Sequence, residues 1–337
     1  MNGSLSRRGF LRQSFAFSAV AGLGLGSLPS LAKPHEKNVE GLEWLMVGDW
    51  GYENFTGQKM VAEAMQSYVR EHHLKPHALL MLGDNWYGDL TGGVDSPRWK
   101  TQFEEMYPKT AFDCPAYAIL GNHDYQRMPT SKVDAELAYA KKEGTRWIIP
   151  SRWYRFEFPA SKPLVTVIAL DSNMPHPAGP QAAGVNFTLT PEEQAEQLRW
   201  LKTELEKPRN TSYLIVMGHH PIYSNGPHGD HKTLIAEWEP LLREHKAHLY
   251  LAGHDHDMQH LEFEGHPTSF VMSGGGGADL YNLKIEEAQR GPYAAKVYGF
   301  SHLQVAPDKL TLLHMDQNGR TIHGFTKTPD GTVKILS

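Results

Sequence analysis

Short runs of apolar residues alternate with polar, glycine-bearing turns along most of this chain. Five of the runs end in a turn that carries Asp, Asn, Tyr or His side chains. They are Leu45–Val47 before Gly48-Asp49-Trp50-Gly51, Leu79–Leu82 before Gly83-Asp84-Asn85-Trp86-Tyr87, Ala118–Leu120 before Gly121-Asn122-His123-Asp124, Leu214–Met217 before Gly218-His219-His220-Pro221, and Leu249–Leu251 before Gly253-His254-Asp255-His256. Each run predicts a buried strand. Because α/β folds gather their sites at the carboxyl ends of strands, we expect the five turns to meet at one sheet edge.

Longer segments between these runs have helical periodicity. Four apolar residues recur on one helical face after the first turn, namely Val61, Met65, Tyr68 and Val69. Thr190-Pro191-Glu192-Glu193 combines an N-cap residue, a proline and a capping-box glutamate, which predicts a helix start. After His256 the chain has short strand-like segments with few clear helices between them. This order predicts an α/β fold in which layered sheets are flanked by helices.

The N-terminal segment is typical of a bacterial export signal. Ser6-Arg7-Arg8-Gly9-Phe10-Leu11-Arg12 precedes an apolar, small-residue stretch that ends at Ser30-Leu31-Ala32. Twin arginines, an apolar stretch and a small-residue end predict a twin-arginine (Tat) signal peptide over residues 1–32. Glycine, serine and proline dilute the stretch, which argues against a membrane anchor. We therefore expect one domain over residues 33–337.

Charge and cysteine content narrow the class of protein. The formal net charge is −5, and removal of the predicted signal would take away three arginines and make it more negative. This acidic balance argues against a nucleic-acid partner. Cys114 is the only cysteine, which excludes an intrachain disulfide. We expect a periplasmic or secreted protein that contacts the Tat export machinery transiently and keeps no stable membrane anchor after signal cleavage.

The five turns together hold eight side chains that bind metals or carry protons. They are Asp49, Asp84, Tyr87, Asn122, His123, His219, His254 and His256. One Asp or His after a strand is usually an ordinary turn residue. Carboxylate, phenolate, amide and imidazole groups together form a hard to intermediate donor set suited to iron, zinc or manganese. A dinuclear metal site is therefore the leading hypothesis.

The ordered turns resemble the motifs of the calcineurin-like metallophosphoesterases, and specifically the small, tartrate-resistant branch of the purple acid phosphatases. The family pattern is D-x-G, G-D-x-x-Y, G-N-H-[DE], V-x-x-H and G-H-x-H. It is matched here by Asp49-Trp50-Gly51, Gly83-Asp84-Asn85-Trp86-Tyr87, Gly121-Asn122-His123-Asp124, Val216-Met217-Gly218-His219 and Gly253-His254-Asp255-His256. The resemblance implies a two-sheet β-sandwich flanked by helices, in an αββα arrangement.

The resemblance also implies how the metals are held. Most metallophosphoesterases have D-x-H at the first motif, whereas Gly51 stands at the histidine position here and Tyr87 would replace the missing ligand. The implied Fe(III) ligands are Asp49, Tyr87 and His256. The implied ligands of a second, divalent metal (Fe, Zn or Mn) are Asn122, His219 and His254, and Asp84 would bridge both ions. Phenolate is a hard anionic donor that suits Fe(III).

Two further histidines are candidates for proton transfer and phosphate binding. His123 directly follows Asn122, and His228 lies in the stretch from Gly218 to His228, where the resemblance implies a histidine that faces the substrate. Each could instead be an ordinary loop histidine. We expect His220 to support the site rather than to bind a metal.

The sequence thus predicts an exported acid phosphatase that hydrolyses small phosphate monoesters by attack of a metal-bound hydroxide. One alternative is a secreted enzyme with the same metals that acts on phosphodiesters or on nucleotide di- or triphosphates. Another is a binding protein that keeps the fold without catalysis, although no member of the implied ligand set is missing.

Overall fold

Two β-sheets and five short to medium α-helices make up the part of the chain that the structure describes. The computed structural model describes residues 41–126, 132–175, 188–285 and 290–336, so the predicted signal over 1–32 lies outside the described residues. The strands are β1 (Leu42–Val47), β2 (Ala78–Met81), β3 (Ala116–Ala118), β4 (Trp147–Ile148), β5 (Tyr154–Phe158), β6 (Val165–Leu170), β7 (Tyr213–Gly218), β8 (Leu249–Ala252), β9 (Met258–Leu261), β10 (Ser269–Ser273), β11 (Tyr293–Ala295), β12 (Gly299–Val305), β13 (Leu310–Asp316), β14 (Thr321–Lys327) and β15 (Val333–Ile335).

Helices connect most of the parallel strands. They are α1 (Thr56–Glu71), a 3-10 turn (Gly93–Asp95), a π-helix (Trp99–Glu104), α2 (Val133–Tyr139), α3 (Pro191–Glu206), α4 (Lys232–Glu237) and α5 (Glu239–Glu244). The predicted apolar face of α1 is buried, as its periodicity requires. Thr190 and Glu193 form the predicted capping box of α3: the Thr190 side chain accepts from the Glu193 backbone and the Glu193 side chain accepts from the Thr190 backbone.

The two sheets stack face to face. One has the order β15-β14-β13-β12-β1-β2-β3-β4 and the other β11-β9-β10-β8-β7-β6-β5. Along β6, Val165, Val167 and Ala169 join the core between the sheets, whereas Ile168 and Leu170 join a second core under α3 to α5. This alternation follows from the two-residue period of a strand that is buried on both faces. The predicted two-sheet sandwich with flanking helices is confirmed.

The strand directions bring the five turns to one edge. β1, β2 and β3 are parallel neighbours in one sheet, and β6, β7 and β8 are parallel neighbours in the other. Backbone hydrogen bonds then join the turns: Asp49 N donates to Gly83 O at 3.0 Å, and Gly253 N donates to His219 O at 3.0 Å. Gly48 N also donates to Ser273 O at 2.8 Å, which ties the two sheets together beside the turns.

Three buried histidines pack between the sheets away from these turns. His260 of β9 lies 2.9 Å from His323 of β14, measured between Nδ1 and Nε2. His314 of β13 is fully buried, with Nδ1 2.8 Å from Ser301 Oγ and Nε2 3.2 Å from Gln259 O. We refer to His260, His314 and His323 as the inter-sheet histidine cluster.

Candidate metal centre

Left-handed backbone at three donor residues turns their side chains toward one point. Asp49, Asp84 and His254 have φ values of 60°, 50° and 72°. Residues with side chains seldom adopt this region, and such strain concentrates at functional sites. Gly121 packs so closely on Asp84 that an added Cβ would lie 2.2 Å from Asp84 Oδ1. The conformation of these turns therefore depends on close packing at glycine as well as on the left-handed backbone of the candidate ligands.

One group of donor atoms surrounds the Tyr87 hydroxyl. Tyr87 Oη lies 3.3 Å from Asp49 Oδ1, 3.1 Å from Asp84 Oδ2 and 3.0 Å from His256 Nε2. Carboxylate and imidazole atoms of Asp49, Asp84 and His256 lie within 4.8 Å of one another, all of them buried. Four potential ligands therefore converge on a volume that suits one cation.

A second group lies on the other side of Asp84. His219 Nε2 is 3.2 Å from Asp84 Oδ2 and 3.3 Å from Asn122 Oδ1, and His254 Nδ1 is 2.9 Å from the same Asn122 oxygen. The ligand atoms of Asp84, His219 and His254 also lie within 4.8 Å of one another. The structure thus brings together all seven residues that the sequence assigned to metals.

Asp84 is common to both groups through a single oxygen. Its Oδ2 atom faces Tyr87 at 3.1 Å and His219 at 3.2 Å. Its Oδ1 atom instead accepts a hydrogen bond of 2.7 Å from His123 N. With Oδ1 held by the backbone, Oδ2 is oriented toward both donor groups, which is the arrangement that a bridging carboxylate needs.

Two of the imidazoles are oriented by backbone carbonyls. His219 Nδ1 donates to Leu82 O at 2.8 Å, and His256 Nδ1 donates to Asp279 O at 2.6 Å. A carbonyl oxygen only accepts, so the proton of each neutral ring lies on Nδ1 and the Nε2 lone pair points into the site. Tyr281 stacks on the His256 ring at 4.1 Å between centroids and restricts its rotation.

The electrostatics of the donor set fit multiply charged cations. Burial above all, with the added charge of Asp84, raises the pKa of Asp49 well above its usual range. Burial and the same two carboxylates raise the pKa of Tyr87 as well. Burial works to lower the pKa of His219, but Asp84 and Asp49 outweigh it and raise that pKa to about 10. A cation among these atoms would reverse all three shifts, because it favours the deprotonated, ligating forms.

No side chain fits at the position where a D-x-H motif would have its histidine. A Cβ added to Gly51 would lie 1.7 Å from Asn85 O, in the turn that carries Tyr87. Arg98 fixes the contact, since its guanidinium donates to Gly51 O at 2.8 Å and to Tyr87 O at 2.7 Å. The close approach of these two turns places Tyr87 beside Asp49 and excludes a residue-51 ligand.

His123 and His228 flank the donor groups on different sides. The His123 ring packs on Tyr87 with centroids 4.0 Å apart, and its buried Nδ1 has no hydrogen-bond partner among the described residues. The His228 side chain is 45% exposed, and its ring lies 4.2 Å from that of His254. Neither belongs to the two groups of candidate ligands, which are Asp84, His219 and His254 and Asp49, Asp84 and His256.

Asp255 is a site residue that the sequence reasoning missed. It is fully buried, and its Oδ1 lies 2.5 Å from His228 Nδ1 while its Oδ2 accepts from Ser224 Oγ. It therefore fixes the orientation of the His228 ring through Nδ1. An acidic residue between two histidines reads as a turn residue, and only its burial distinguishes it. His220 is likewise held behind the site, with Nδ1 2.8 Å from Ser172 Oγ and its ring 4.2 Å from that of His254.

Comparison with known proteins identifies relatives of the chain. The family model of the calcineurin-like phosphoesterases matches residues 45–258. The chain is 30% identical to purple acid phosphatase 7 of Arabidopsis thaliana over 317 residues, covering 89% of this chain and 90% of that protein. It is 28% identical to mouse (Mus musculus) tartrate-resistant acid phosphatase type 5 over 304 residues, covering 83% and 88% of the two chains.

Solved structures share the fold. Plasmodium GAP50, described as the anchor in the inner membrane complex, aligns with a TM-score of 0.69 and 21% identity over 88% of this chain and 90% of its own. Purple acid phosphatase PPD1 of yellow lupin aligns with a TM-score of 0.61 and 15% identity over 86% of this chain and 54% of its own. Within the described residues, no helix has the length and apolar character needed to cross a membrane.

These relatives confirm two predictions made from the sequence. The purple acid phosphatase resemblance is borne out, and the expected enzyme class is that of the curated relatives, which are acid phosphatases. The candidate metal-binding residues lie within the matched segment. The chain belongs to the calcineurin-like phosphoesterase family.

Proposed function

We propose that the protein is a dinuclear-metal acid phosphatase that hydrolyses phosphate monoesters. The observation that carries the proposal is the shared position of Asp84 Oδ2, which lies 3.1 Å from Tyr87 Oη in one donor group and 3.2 Å from His219 Nε2 in the other. Paired metals across a bridging carboxylate are suited to phosphoryl transfer. The presence of every implied ligand supports an enzyme over a binding protein with the same fold.

Each donor group would hold one metal. Asp49, Tyr87 and His256 would hold Fe(III), and Asn122, His219 and His254 would hold divalent iron, zinc or manganese, with Asp84 common to both. When bound, the metals would supply Lewis-acid charge for the phosphoryl oxygens and an activated water as nucleophile. The buried, mostly anionic first group suits the more highly charged ion.

His228 would donate a proton to the leaving group, and His123 would interact with the negatively charged phosphoryl group. Hydrolysis breaks the P–O bond to the leaving group, whose oxygen then needs a proton. His228 can donate it from Nε2, because Asp255 holds Nδ1 at 2.5 Å and directs the ring outward. His123, stacked on Tyr87, would place its imidazole beside the phosphoryl group.

The predicted export signal would place this activity outside the cytoplasm. A Tat route would carry the chain already folded, which allows metals to be bound before transport. We therefore propose a periplasmic or secreted enzyme acting on small phosphorylated substrates.

The test is metal analysis combined with a comparison of substrates. Protein produced through its own export route should contain two metal ions per chain, one of them iron. It should release nitrophenol from nitrophenyl phosphate much faster than from bis(nitrophenyl) phosphate. Faster cleavage of the diester would favour the phosphodiesterase alternative, and two metals with no hydrolysis of either compound would refute a phosphatase function.

A further inference from the structure

A pocket opens directly beside the second donor group. It has a volume of about 280 Å³. The side chains that matter for its chemistry are His220, His228, His231, Lys232, Thr233 and His254. Because His254 belongs to the second donor group and His228 is the proposed proton donor, the pocket adjoins the place where the leaving group would be.

Three polar side chains of the pocket have unused hydrogen-bonding capacity. His231 Nδ1 accepts from Leu234 N at 3.3 Å, so its proton lies on Nε2, for which no other described residue is an acceptor. Lys232 has no ion-pair partner among the residues that the structure describes, and the Thr233 hydroxyl has no hydrogen-bond partner among them. All three can donate to an anion.

The pocket has little negative charge to oppose an anion. Among the residues that the structure describes, Asp230 is the one acidic residue that lines it. That carboxylate lies 2.8 Å from Arg290 and also accepts from Ser224 N at 3.1 Å, which neutralises it. Within the described part of the chain, Lys232 is therefore a positive charge at the pocket without an acidic partner. A leaving group without charge would form no ion pair with Lys232 and would give the His231 and Thr233 donors no anionic acceptor.

We propose that this pocket binds a second anionic group, a carboxylate or phosphate carried by the leaving-group part of the substrate. The inference rests on the proposed phosphatase function and adds a preference within it. Lys232 and the Nε2–H of His231 would hold the second anion while the scissile phosphate occupies the metal side. The protein would thus favour phosphorylated acids and bisphosphates over esters of neutral alcohols.

The experiment compares phenyl phosphate with 3-carboxyphenyl phosphate. The two phenols have nearly equal acidity, so a difference between the esters reports binding of the carboxylate rather than leaving-group chemistry. In the wild type we expect kcat/KM to be about 2–5-fold higher for the carboxylated ester, the range of an exposed ion pair, mainly through a lower KM. In Lys232→Gln that ratio should fall to about one.

The matched control is Lys334→Gln, which removes the same charge from the exposed edge strand β15. It should keep the wild-type ratio. A ratio near one in the wild type, or an equal loss in both variants, would overturn the pocket assignment. A ratio that Lys232→Gln leaves intact would do the same.

Binding of non-hydrolysable analogues separates this inference from the catalytic proposal. Calorimetry should show that 3-carboxyphenylphosphonate binds metal-loaded protein about 2–5-fold tighter than phenylphosphonate, and that Lys232→Gln removes the difference. If the protein binds the phosphonates in this way but hydrolyses neither ester, the phosphatase proposal fails and the anion pocket stands. If it hydrolyses both esters equally and binds both phosphonates equally, the pocket fails and the phosphatase stands.

Discussion

The inter-sheet histidine cluster predicts that the protein loses stability as the pH falls below about 6.5. Burial lowers the pKa of His314 to about 3, with His260 adding to the effect. Burial, together with both neighbouring imidazoles, lowers the pKa of His323 to about 2. Burial also lowers the pKa of His260. The folded protein therefore keeps these rings neutral in a range where the unfolded chain protonates them.

The sign and size of the effect follow from linkage. Between about pH 6.5 and pH 3, His314 binds one more proton in the unfolded state than in the folded state, so stability falls as pH falls. Each such group changes the free energy of unfolding by up to about 1.4 kcal/mol per pH unit. From pH 6.5 to 4.5, one histidine then costs up to about 3 kcal/mol, a large part of the stability of a typical domain.

The assay is urea unfolding of wild type and His314→Gln at several pH values from 7 to 4.5. Glutamine can form hydrogen bonds with Ser301 Oγ and Gln259 O, the two partners of His314, but it does not titrate. The variant should have a slope of unfolding free energy against pH that is lower by about 1 kcal/mol per unit below pH 6. Metal loss at low pH contributes equally to both proteins and cancels in the comparison.

The matched control is His72→Gln, which removes an exposed histidine. It should keep the wild-type slope. Equal slopes for wild type and His314→Gln would refute the claim that a neutral, buried His314 makes the fold sensitive to acid. A steeper slope in His314→Gln would refute it as well.

The remaining predictions concern the metal centre. Tyr87→Phe should abolish the visible charge-transfer absorption expected of a phenolate on Fe(III), while circular dichroism shows the fold retained; unchanged colour would exclude this ligand. Asp84→Ala should lose both metals in elemental analysis, whereas Asn122→Ala, which removes a neutral ligand, should chiefly weaken one; equal loss would contradict a bridging role. His228→Ala should slow alkyl phosphate hydrolysis about 10²–10⁴-fold but affect nitrophenyl phosphate much less, because nitrophenolate leaves without a proton. Asp255→Asn should reproduce that selectivity in milder form with metal content unchanged, and a uniform loss across substrates would argue against orientation of His228.

Most residues of the candidate site were predictable from the sequence because they lie in turns directly after apolar strand segments. Each apolar run stops at a glycine turn, and parallel strands bring such turns to one edge, so Asp49, Asp84 and His254 could be placed together before the structure was known. Layered sheets with flanking helices followed from the same alternation and from the β-rich end, and the family resemblance implied the two-sheet sandwich. These features depend on local pattern and on one general property of α/β sheets.

Other features depend on packing that no local pattern encodes. Asp255 contacts His228 across 27 residues of sequence, and its role depends on complete burial. The segment after Ser96 forms a π-helix in which Glu105 N donates to Lys100 O, and the sequence has no local pattern that distinguishes it from an α-helix. The inter-sheet histidine cluster joins strands of both sheets, so it becomes visible only once the register between β9, β13 and β14 is known.

The close contact at Gly51 limits how the proposed metal ligands of this chain could change. Any side chain there would collide with Asn85 O, so Gly51→His cannot restore a D-x-H ligand unless the Gly83–Tyr87 turn moves away. Moving that turn would also withdraw Tyr87 from Asp49. On this scaffold, the proposed ligand Tyr87 and a histidine at position 51 therefore exclude each other. Replacing the proposed tyrosine ligand by a histidine would require both turns to change together. A change in only one turn would leave the first proposed metal without one of its ligands.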